Sequence, residues 1–263
     1  MLTLYHGDNS VCSQKVRLAL AEKGLDWKSN IVDLKKAEQF APEYLVLNPE
    51  GEVPTLVHDD FVLRESSVII EYLDGLSDKP KLMPDDSKAA AKARIWLVRC
   101  IKIHEAVNSL SFASYIRDGE LARRSADEIE RWLASTPNPQ IEAKRRELMA
   151  RGPESVFVGG AIRTFSRVFE DMDRELSHGP YLNGPAYGMA DTALTAYIDR
   201  LHRLAFEGLW AKWPRVGQWL DRMKARPSYR TAIAAYVPPE AERFQRQSGE
   251  KAWGVIATAL KTH

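Results

Sequence analysis

Residues 52–67 read EVPTLVHDDFVLRESS, and this stretch decides the fold of the first part of the chain. Two short apolar runs, at 55–58 and 61–64, flank an Asp-Asp turn, and this pattern predicts a hairpin of two strands. The apolar spacing that follows predicts a helix from Ser66 to Leu73. The stretch therefore forms a strand, strand, helix unit.

The residues upstream alternate strand and helix. An apolar strand is predicted at 2–5, and the helix that follows it ends at Gly24, a residue typical of helix C-termini. A second strand is predicted at 27–34 and a short helix at 38–47. The resulting βαβαββα order with a mixed sheet predicts an α/β thioredoxin-like domain.

The rest of the chain has helical periodicity and no convincing strand pair. We predict a thioredoxin-like domain at 1–78, a proline-containing linker at 79–87 and an all-α domain at 88–263, with Ser87 as the N-cap of its first helix. Further breaks are expected at proline and glycine pairs, among them Thr136-Pro137-Asn138-Pro139.

Composition excludes several classes of protein. The chain has 263 residues, 44% of them hydrophobic and 28% charged, and its 37 basic and 36 acidic side chains nearly cancel. These values argue against a disordered chain and against a nucleic-acid partner. We expect no membrane span, because the last apolar stretch, 252–260, is far shorter than about 20 residues. With two cysteines, no disulfide framework, no metal-ligand spacing and no secretion signal, we expect a cytoplasmic protein without a bound metal.

Three motifs near the start of the chain predict a pocket for a small zwitterionic thiol. Pro54 precedes a strand, and a cis bond there would leave the N–H and C=O of Val53 free for an extended peptide ligand; a trans proline that starts the strand is the alternative. Glu65 and Ser66 begin a helix, where they could hold an ammonium and a carboxylate or act as an ordinary capping pair. The stretch Ser10-Val11-Cys12-Ser13 places a hydroxyl and a thiol at another helix N-terminus.

Together these motifs resemble those of the serine-type classes of the cytosolic glutathione transferase superfamily, over nearly the whole chain. The resemblance implies glutathione as co-substrate and Ser10, in the pattern Ser-x-x-Ser-x-x-Val, as the catalytic hydroxyl that stabilises its thiolate. It also implies that Val53 binds the cysteinyl backbone beside cis-Pro54. Glu65 and Ser66 would hold the γ-glutamyl end. Gln39 would contact the glycine carboxylate, whereas the acidic Glu52 departs from the family pattern.

Different details of the sequence resemble different branches of the superfamily. Cys12 is similar to the resolving cysteine of bacterial reductive dehalogenases, although it could equally point into the core. Asn9-Ser10 resembles the motif of bacterial β-etherases, and the run 13–18 resembles the ganglioside-induced differentiation-associated proteins. These details disagree about the substrate.

The electrophile site is expected between the domains, on the first long helix of the second. His104, Asn108, Ser111 and Tyr115 are spaced to share one helical face, where they could line an aromatic pocket or serve only in packing. His104 or Tyr115 could protonate a leaving group.

The sequence thus predicts a glutathione transferase acting on a small hydrophobic, aromatic electrophile, and the resemblance implies a homodimer. Two alternatives remain: a non-catalytic protein that binds glutathione or hydrophobic molecules, and a thiol-disulfide reductase that depends on Cys12.

Overall fold

The computed structural model describes residues 1–78, 80–136 and 138–261. They form two compact units. The first comprises Met1–Cys100, Arg174–Ala196 and Gln218–Pro238, and the second comprises the segments 101–173 and 197–217 and the helix that follows residue 238. Each unit is therefore built from segments that are distant in sequence.

The first unit contains the mixed sheet that the sequence predicts. Its strands are β1 (Leu2–His6), β2 (Trp27–Ile31), β3 (Thr55–His58) and β4 (Phe61–Leu63), and its early helices are α1 (Val11–Lys23), α2 (Pro42–Leu47) and α3 (Ser66–Asp74). The strand order is β2-β1-β3-β4; β1 runs parallel to β2 and antiparallel to β3, and β4 runs antiparallel to β3. The predicted βαβαββα thioredoxin-like layout is confirmed.

Local sequence explains the bounds of α1. Ser10 is its N-cap, and Gly24 ends it in the left-handed conformation (φ 62°), with its N–H donating to carbonyls of the last turn. The helix packs its apolar residues against the sheet and α3, so that Leu4, Val16 and Leu56 are fully buried. This burial provides the main driving force for folding of the sheet and its helices.

The predicted helix at 38–47 is wrong as a single element. It is divided into a 3₁₀ turn at Glu38–Phe40 and α2, which begins at Pro42. Proline disfavours a helical residue before it, and Ala41 accordingly has an extended backbone with ψ 139°. The predicted strand at 27–34 is also too long.

Strand β2 ends at Ile31 because a turn follows it. The carboxylate of Asp33 accepts a hydrogen bond from the backbone N–H of Lys35 at 2.9 Å, which closes a local turn in place of strand pairing. The last part of the predicted strand therefore belongs to the loop that leads to the 3₁₀ turn.

The remainder of the described chain is helical, as predicted. The helices are α4 (Ser87–Ser111), α5 (Arg117–Arg123), α6 (Ala126–Ala134), α7 (Pro139–Arg151), α8 (Val156–Leu176), α9 (Met189–Arg203), α10 (Pro214–Lys224), α11 (Pro227–Ala232) and α12 (Pro239–Lys261). A π-helical turn, Phe112–Ile116, follows α4, and short 3₁₀ turns lie at Gly152–Glu154, Glu207–Trp210 and Ala234–Tyr236.

The predicted N-cap of α4 is wrong by one residue. Ser87 is already helical, and the carboxylate of Asp86 accepts the N–H of Ala89 at 2.9 Å. Aspartate and serine are about equally good N-caps, so residue type alone does not decide whether Asp86 or Ser87 caps α4. The loop that precedes the helix decides it. Farther on, the carboxylate of Asp191 accepts the N–H of Gly188 at 3.0 Å, which gives α9 a buried cap.

The second unit has its own aromatic core. Phe165 and Phe169 stack with centroids 5.5 Å apart, and Trp210 meets Phe169 edge-on at 5.5 Å. Within this unit, α12 crosses the segment at Leu204 closely, because a Cβ at Gly249 would lie 1.8 Å from the carbonyl oxygen of Leu204. Only glycine fits at that crossing.

The domain boundaries at 78 and 88 stay a prediction. Lys79 at the start of the predicted linker, Pro137 in a predicted break and residues 262–263 at the end of the predicted helical domain lie outside the described residues. None of the helices in the described ranges is long and apolar enough to cross a membrane.

Candidate active site

Strand register brings the predicted motifs to one end of the sheet. Tyr5 near the end of β1 pairs with Thr55 at the start of β3, and Leu63 at the end of β4 pairs with Leu56. The end of β1, the start of β3 and the end of β4 therefore coincide. The loop after β2 leaves from the same end, since the N–H of Val32 donates to the carbonyl of His6 at 2.9 Å. The segments that carry Ser10, Gln39, Val53 and Glu65 thus begin from one edge of the sheet.

Ser10 lies where the loop after β1 meets α1. Its Oγ accepts the N–H of Ser13 at 3.3 Å, and its own N–H donates to the carbonyl of Gly7 at 3.4 Å. The side chain is half-buried, and its O–H has no acceptor among the described residues. A free O–H at a helix N-terminus can be donated to an anion that binds there.

Asn9 precedes Ser10, Cys12 follows it by two residues, and both are half-buried. Cys12 occupies the second position of α1 and is not joined to Cys100 by a disulfide. The backbone N–H of Asn9 donates to the carboxylate of Asp8 at 2.6 Å, which turns the chain toward the helix. Burial raises the pKa of Cys100, so that thiol stays protonated.

The loop before β3 presents an unpaired backbone. The bond between Val53 and Pro54 is cis, as predicted. Neither the N–H nor the C=O of Val53 has a hydrogen-bond partner within the part of the chain that the structure describes. Nearby, the hydroxyl of Tyr44 and the amide of Asn48 both donate to the carbonyl of Glu52, at 2.5 and 2.8 Å. These two side chains hold the loop while Val53 stays available.

Gln39 lies against this loop. A Cβ at Gly51, which has φ 62°, would come within 3.3 Å of the Gln39 carbonyl oxygen and 2.6 Å of the Phe40 ring. The Oε1 atom of Gln39 is buried, and no donor reaches it in the described ranges. A buried amide oxygen without a donor is costly and indicates a missing partner.

The start of α3 provides a second helix N-terminus. Glu65 precedes the helix with an exposed side chain and a positive φ of 66°, a conformation that is unfavourable for a non-glycine residue and is often found at functional sites. Ser66, the first helical residue, is buried. The Nζ of Lys15 in α1 donates to the Oγ of Ser67 at 2.9 Å, which ties the two helix starts together.

The electrostatics of this edge favour an anionic ligand with one cationic group. Two helix N-termini, those of α1 and α3, present N–H donors there. The carboxylate of Glu65 provides a local negative charge for an ammonium, and the exposed carboxylate of Glu52 lies on the neighbouring loop. Burial raises the pKa of the Tyr44 hydroxyl, which therefore stays a neutral donor to the loop.

The predicted electrophile residues all belong to the second unit. Asn108 is exposed, and the ring of His104 lies 6.2 Å from that of Tyr197. Ser111 is buried, and Tyr115 is half-buried within the π-helical turn. The four residues therefore differ in burial, and Tyr115 lies in the π-helical turn beyond the end of α4.

Arg200 connects two of them. Its Nη1 donates to the hydroxyl oxygen of Tyr115 at 2.9 Å and to that of Ser111 at 3.4 Å. Burial lowers the pKa of Arg200 to about 10, which leaves it charged at neutral pH. Tyr115 accepts this bond through its oxygen and keeps its own proton for donation.

Several of these residues were not found by sequence reasoning. Tyr44 falls within the helix predicted at 38–47 and Asn48 directly after it, and the sequence analysis gives none of Tyr44, Asn48 and Arg200 a role. The acceptor of Tyr44 and Asn48 lies in the adjoining loop, whereas those of Arg200 lie more than 80 residues away in sequence. In the described ranges, no group of three or more histidine, cysteine, aspartate or glutamate residues is placed to hold a metal ion.

The geometry defines a protein of thioredoxin-like fold in which the unpaired backbone of Val53 and the N-termini of α1 and α3 lie at one end of the sheet. Comparison with known proteins extends this conclusion. The family model for the glutathione S-transferase N-terminal domain matches residues 9–76, and that for the C-terminal domain matches residues 120–222.

Protein LigF from Sphingobium sp. strain SYK-6 is 30% identical over 236 residues, which cover 86% of this chain and 91% of LigF. The crystal structure of that β-etherase superposes with a TM-score of 0.78 at 29% identity, over 89% of this chain and 99% of LigF. The tetrachloro-p-hydroquinone reductive dehalogenase of Sphingobium chlorophenolicum is 27% identical, over 88% and 95% of the two chains.

A glutathione transferase homologue from Sulfitobacter, solved with bound glutathione, has a TM-score of 0.61 at 26% identity, over 89% of this chain and 96% of that one. The chain belongs to the glutathione S-transferase family, and glutathione is the co-substrate of that family.

Proposed function

We propose that this protein activates the thiol of glutathione through Ser10 and transfers the thiolate to a hydrophobic, aromatic electrophile. The observation that carries the proposal is the position of Ser10. It caps α1 with an available O–H, at the edge of the sheet that also bears the unpaired backbone of Val53 and the N-terminus of α3.

Each part of glutathione has a matching group at this edge. The free N–H and C=O of Val53 suit the cysteinyl backbone, which would add to the loop in the manner of a short strand. The N–H groups at Ser66 suit the γ-glutamyl carboxylate, and the Glu65 side chain suits its ammonium. The buried oxygen of Gln39, which has no donor in the described ranges, suits an N–H of the glycine residue and not the glycine carboxylate expected from the sequence, because an amide oxygen only accepts.

Ser10 would lower the pKa of the bound thiol. A hydrogen bond to a charged group is worth about 1.5–3 kcal/mol, and the dipole of α1 adds about 0.3–1 kcal/mol. Each pKa unit corresponds to about 1.4 kcal/mol, so the thiol pKa would fall from about 8.5 to about 7 or below. A large fraction of the bound glutathione would then be thiolate at neutral pH.

The chemical step is a displacement at carbon. The thiolate sulfur forms a bond to the electrophilic carbon, the bond from that carbon to an aryloxide or halide breaks, and an aryloxide takes up a proton. The role predicted for Tyr115 as donor of that proton is supported only by its own surroundings in the second unit, where Arg200 binds its oxygen and leaves its O–H available. The similarity to a β-etherase and to an aromatic dehalogenase supports this class of substrate.

A thiol-disulfide reductase is a second candidate. Cys12 lies in the first turn of α1, two residues after Ser10, where its thiolate could attack the glutathionyl sulfur of a mixed disulfide between glutathione and a substrate. The new bond joins the Cys12 sulfur to glutathione, the old S–S bond breaks and the substrate leaves as a thiol; a second glutathione would then release glutathione disulfide and restore the Cys12 thiol. That activity would depend on Cys12 and would not need Ser10. The small number of cysteines, too few for a disulfide framework, also supports a location in the cytoplasm.

We also propose a homodimer that uses the outer face of the first unit. Ile95 and Val98 on α4 are 58% and 69% exposed, and Val68 on α3 and Phe61 on β4 are exposed as well. Arg94 bridges α4 to Glu71 on α3 at 2.7 Å. An apolar surface bordered by charged groups is typical of a protein interface.

Activity with two probes would test the proposal. Purified protein with glutathione is expected to release chloride from chlorodinitrobenzene and a phenol from an aryl ether, and Ser10→Ala should reduce both rates by about 100-fold. Cys12→Ser should leave both unchanged. Full activity in Ser10→Ala together with loss in Cys12→Ser would favour the reductase. Saturable glutathione binding without turnover of either probe would favour a binding protein.

A further inference from the structure

The side chain of Arg17 is charged and only 1% exposed. It extends from α1 beneath the loop that precedes Ser10. Its Nη1 donates to the carbonyl of Gly7 at 3.1 Å, and its Nη2 donates to the carbonyl of Asp8 at 2.8 Å. Two adjacent loop carbonyls are thus held by the two arms of one guanidinium group.

The other side of the guanidinium is fixed by a distant segment of the first unit. Its Nε donates to the carbonyl of Ala232, at the end of α11, at 2.8 Å. The ring of Tyr236 lies beneath the guanidinium, with its centroid 3.8 Å away. A planar, five-donor group can serve several acceptors in fixed directions, which a lysine cannot. Arg17 therefore joins the loop to the end of α11 and to Tyr236.

Two short steps connect this loop to Ser10. The carbonyl of Gly7 that accepts from Arg17 also accepts the N–H of Ser10, at 3.4 Å. The N–H of Gly7 in turn donates to the Oγ of Ser13 at 3.2 Å. The position of Gly7 thus determines the position of Ser10 and of the first turn of α1.

His6 completes the arrangement without adding a charge. Its Nδ1 lies 2.9 Å from Arg17 Nη1, and its Nε2 lies 2.8 Å from the Oγ of Ser29. Since arginine can only donate, Nδ1 is the acceptor and Nε2 carries the proton. Burial and the charge of Arg17 lower the pKa of His6 to about 3, so the imidazole is neutral at neutral pH.

We propose that Arg17 is a positioning residue for the thiol-activating step: its guanidinium holds Gly7 and Asp8 so that the hydroxyl of Ser10 is aimed at the glutathione sulfur. This inference rests on the proposed function of Ser10. Arg17 does not touch the sulfur in this scheme and acts only through the loop. The fork geometry, and not the charge alone, is what the loop requires.

The test compares Arg17→Met and Arg17→Lys with Arg226→Met. Arg226 is a matched control because it also joins α1 to the C-terminal segment of the first unit. It makes two bonds to Glu22, at 2.7 and 2.6 Å, and lies over the Tyr187 ring. Among its contacts in the described residues, none is with the loop before Ser10. Misplacement of a catalytic group by about 1 Å can cost about 100-fold in rate. Both Arg17 variants are expected to lose about that much kcat and to raise the pKa of bound glutathione thiol, with a smaller change in KM.

Hydrogen exchange provides a readout that does not depend on glutathione. Amides in residues 7–13 should exchange faster in both Arg17 variants and at the wild-type rate in Arg226→Met. Wild-type kcat and thiol pKa in Arg17→Met would overturn the proposal, as would full rescue by Arg17→Lys.

If Arg17→Met does not fold, Arg17→Lys carries the test alone. A wild-type protein that never forms the thiolate would refute the proposed function, whereas unchanged exchange in the Arg17 variants would refute the inference itself.

Discussion

Lowering the pH should destabilise the protein through His6. This side chain is fully buried between Arg17 and Ser29, with the edges of Trp27 and Tyr236 against its ring at 5.3 and 5.5 Å. A proton on Nδ1 would face a guanidinium group. The pKa of His6 is therefore lowered from 6.5 to about 3 in the folded protein.

The sign of the effect follows from the direction of that pKa change. Because the folded protein binds this proton less tightly than the unfolded chain, the stabilising contribution is fully present above pH 6.5 and is lost as the pH falls toward 3. For a group with these two pKa values, the loss between about pH 7 and about pH 5 is about 2 kcal/mol.

Urea unfolding at both pH values, with His6→Asn as the reference, measures this loss. Asparagine keeps an acceptor near the Nδ1 position and does not titrate, so all other ionisations cancel in the comparison. The wild-type advantage over His6→Asn should shrink by about 2 kcal/mol at the lower pH. An advantage that is equal at both pH values would show that His6 is not held neutral and would refute the reasoning.

Two further predictions concern the fold and the site. Asp191→Ala should lower the free energy of unfolding by about 3 kcal/mol or more, because three buried donors lose their acceptor. These donors are the N–H groups of Leu182 and Gly188 and the indole N–H of Trp219. A loss under about 1 kcal/mol, measured by urea unfolding, would contradict this. Glu65→Gln should weaken glutathione binding by about tenfold in calorimetry, since the partner of the ligand ammonium is lost. Glu52→Gln, its matched control on the neighbouring loop, should bind as well as wild type or better, and equal weakening in both variants would contradict the assigned role of Glu65.

Local features of the first domain were predictable because their signals are local. The hairpin and the start of α3 were evident in residues 52–67, and Gly24 marked the end of α1. The cis bond at Pro54 was inferred from its neighbours in sequence. The break before α2 could also have been predicted, since Ala41 precedes a proline. The apolar periodicity of 38–47 instead favoured one continuous helix.

The groups that support the site could not be predicted in the same way. Arg17 and its acceptor Ala232 are 215 residues apart in sequence, and Arg200 meets Tyr115 across 85 residues. An arginine within an amphipathic helix looks solvent-exposed until a buried carbonyl or hydroxyl is placed beside it. Such contacts depend on tertiary packing, so only the structure reveals them. The assignment of Ser10, Cys12 and the electrophile residues to their roles remains a prediction for experiment.

Ultraviolet difference titration of bound glutathione tests the central claim most directly, with wild type, Ser10→Ala and Cys12→Ser compared across pH. We predict thiolate absorbance in wild type and Cys12→Ser with an apparent thiol pKa near 7, and a return to about 8.5 in Ser10→Ala. Saturated glutathione binding with an unshifted thiol pKa in wild type would contradict thiol activation by Ser10.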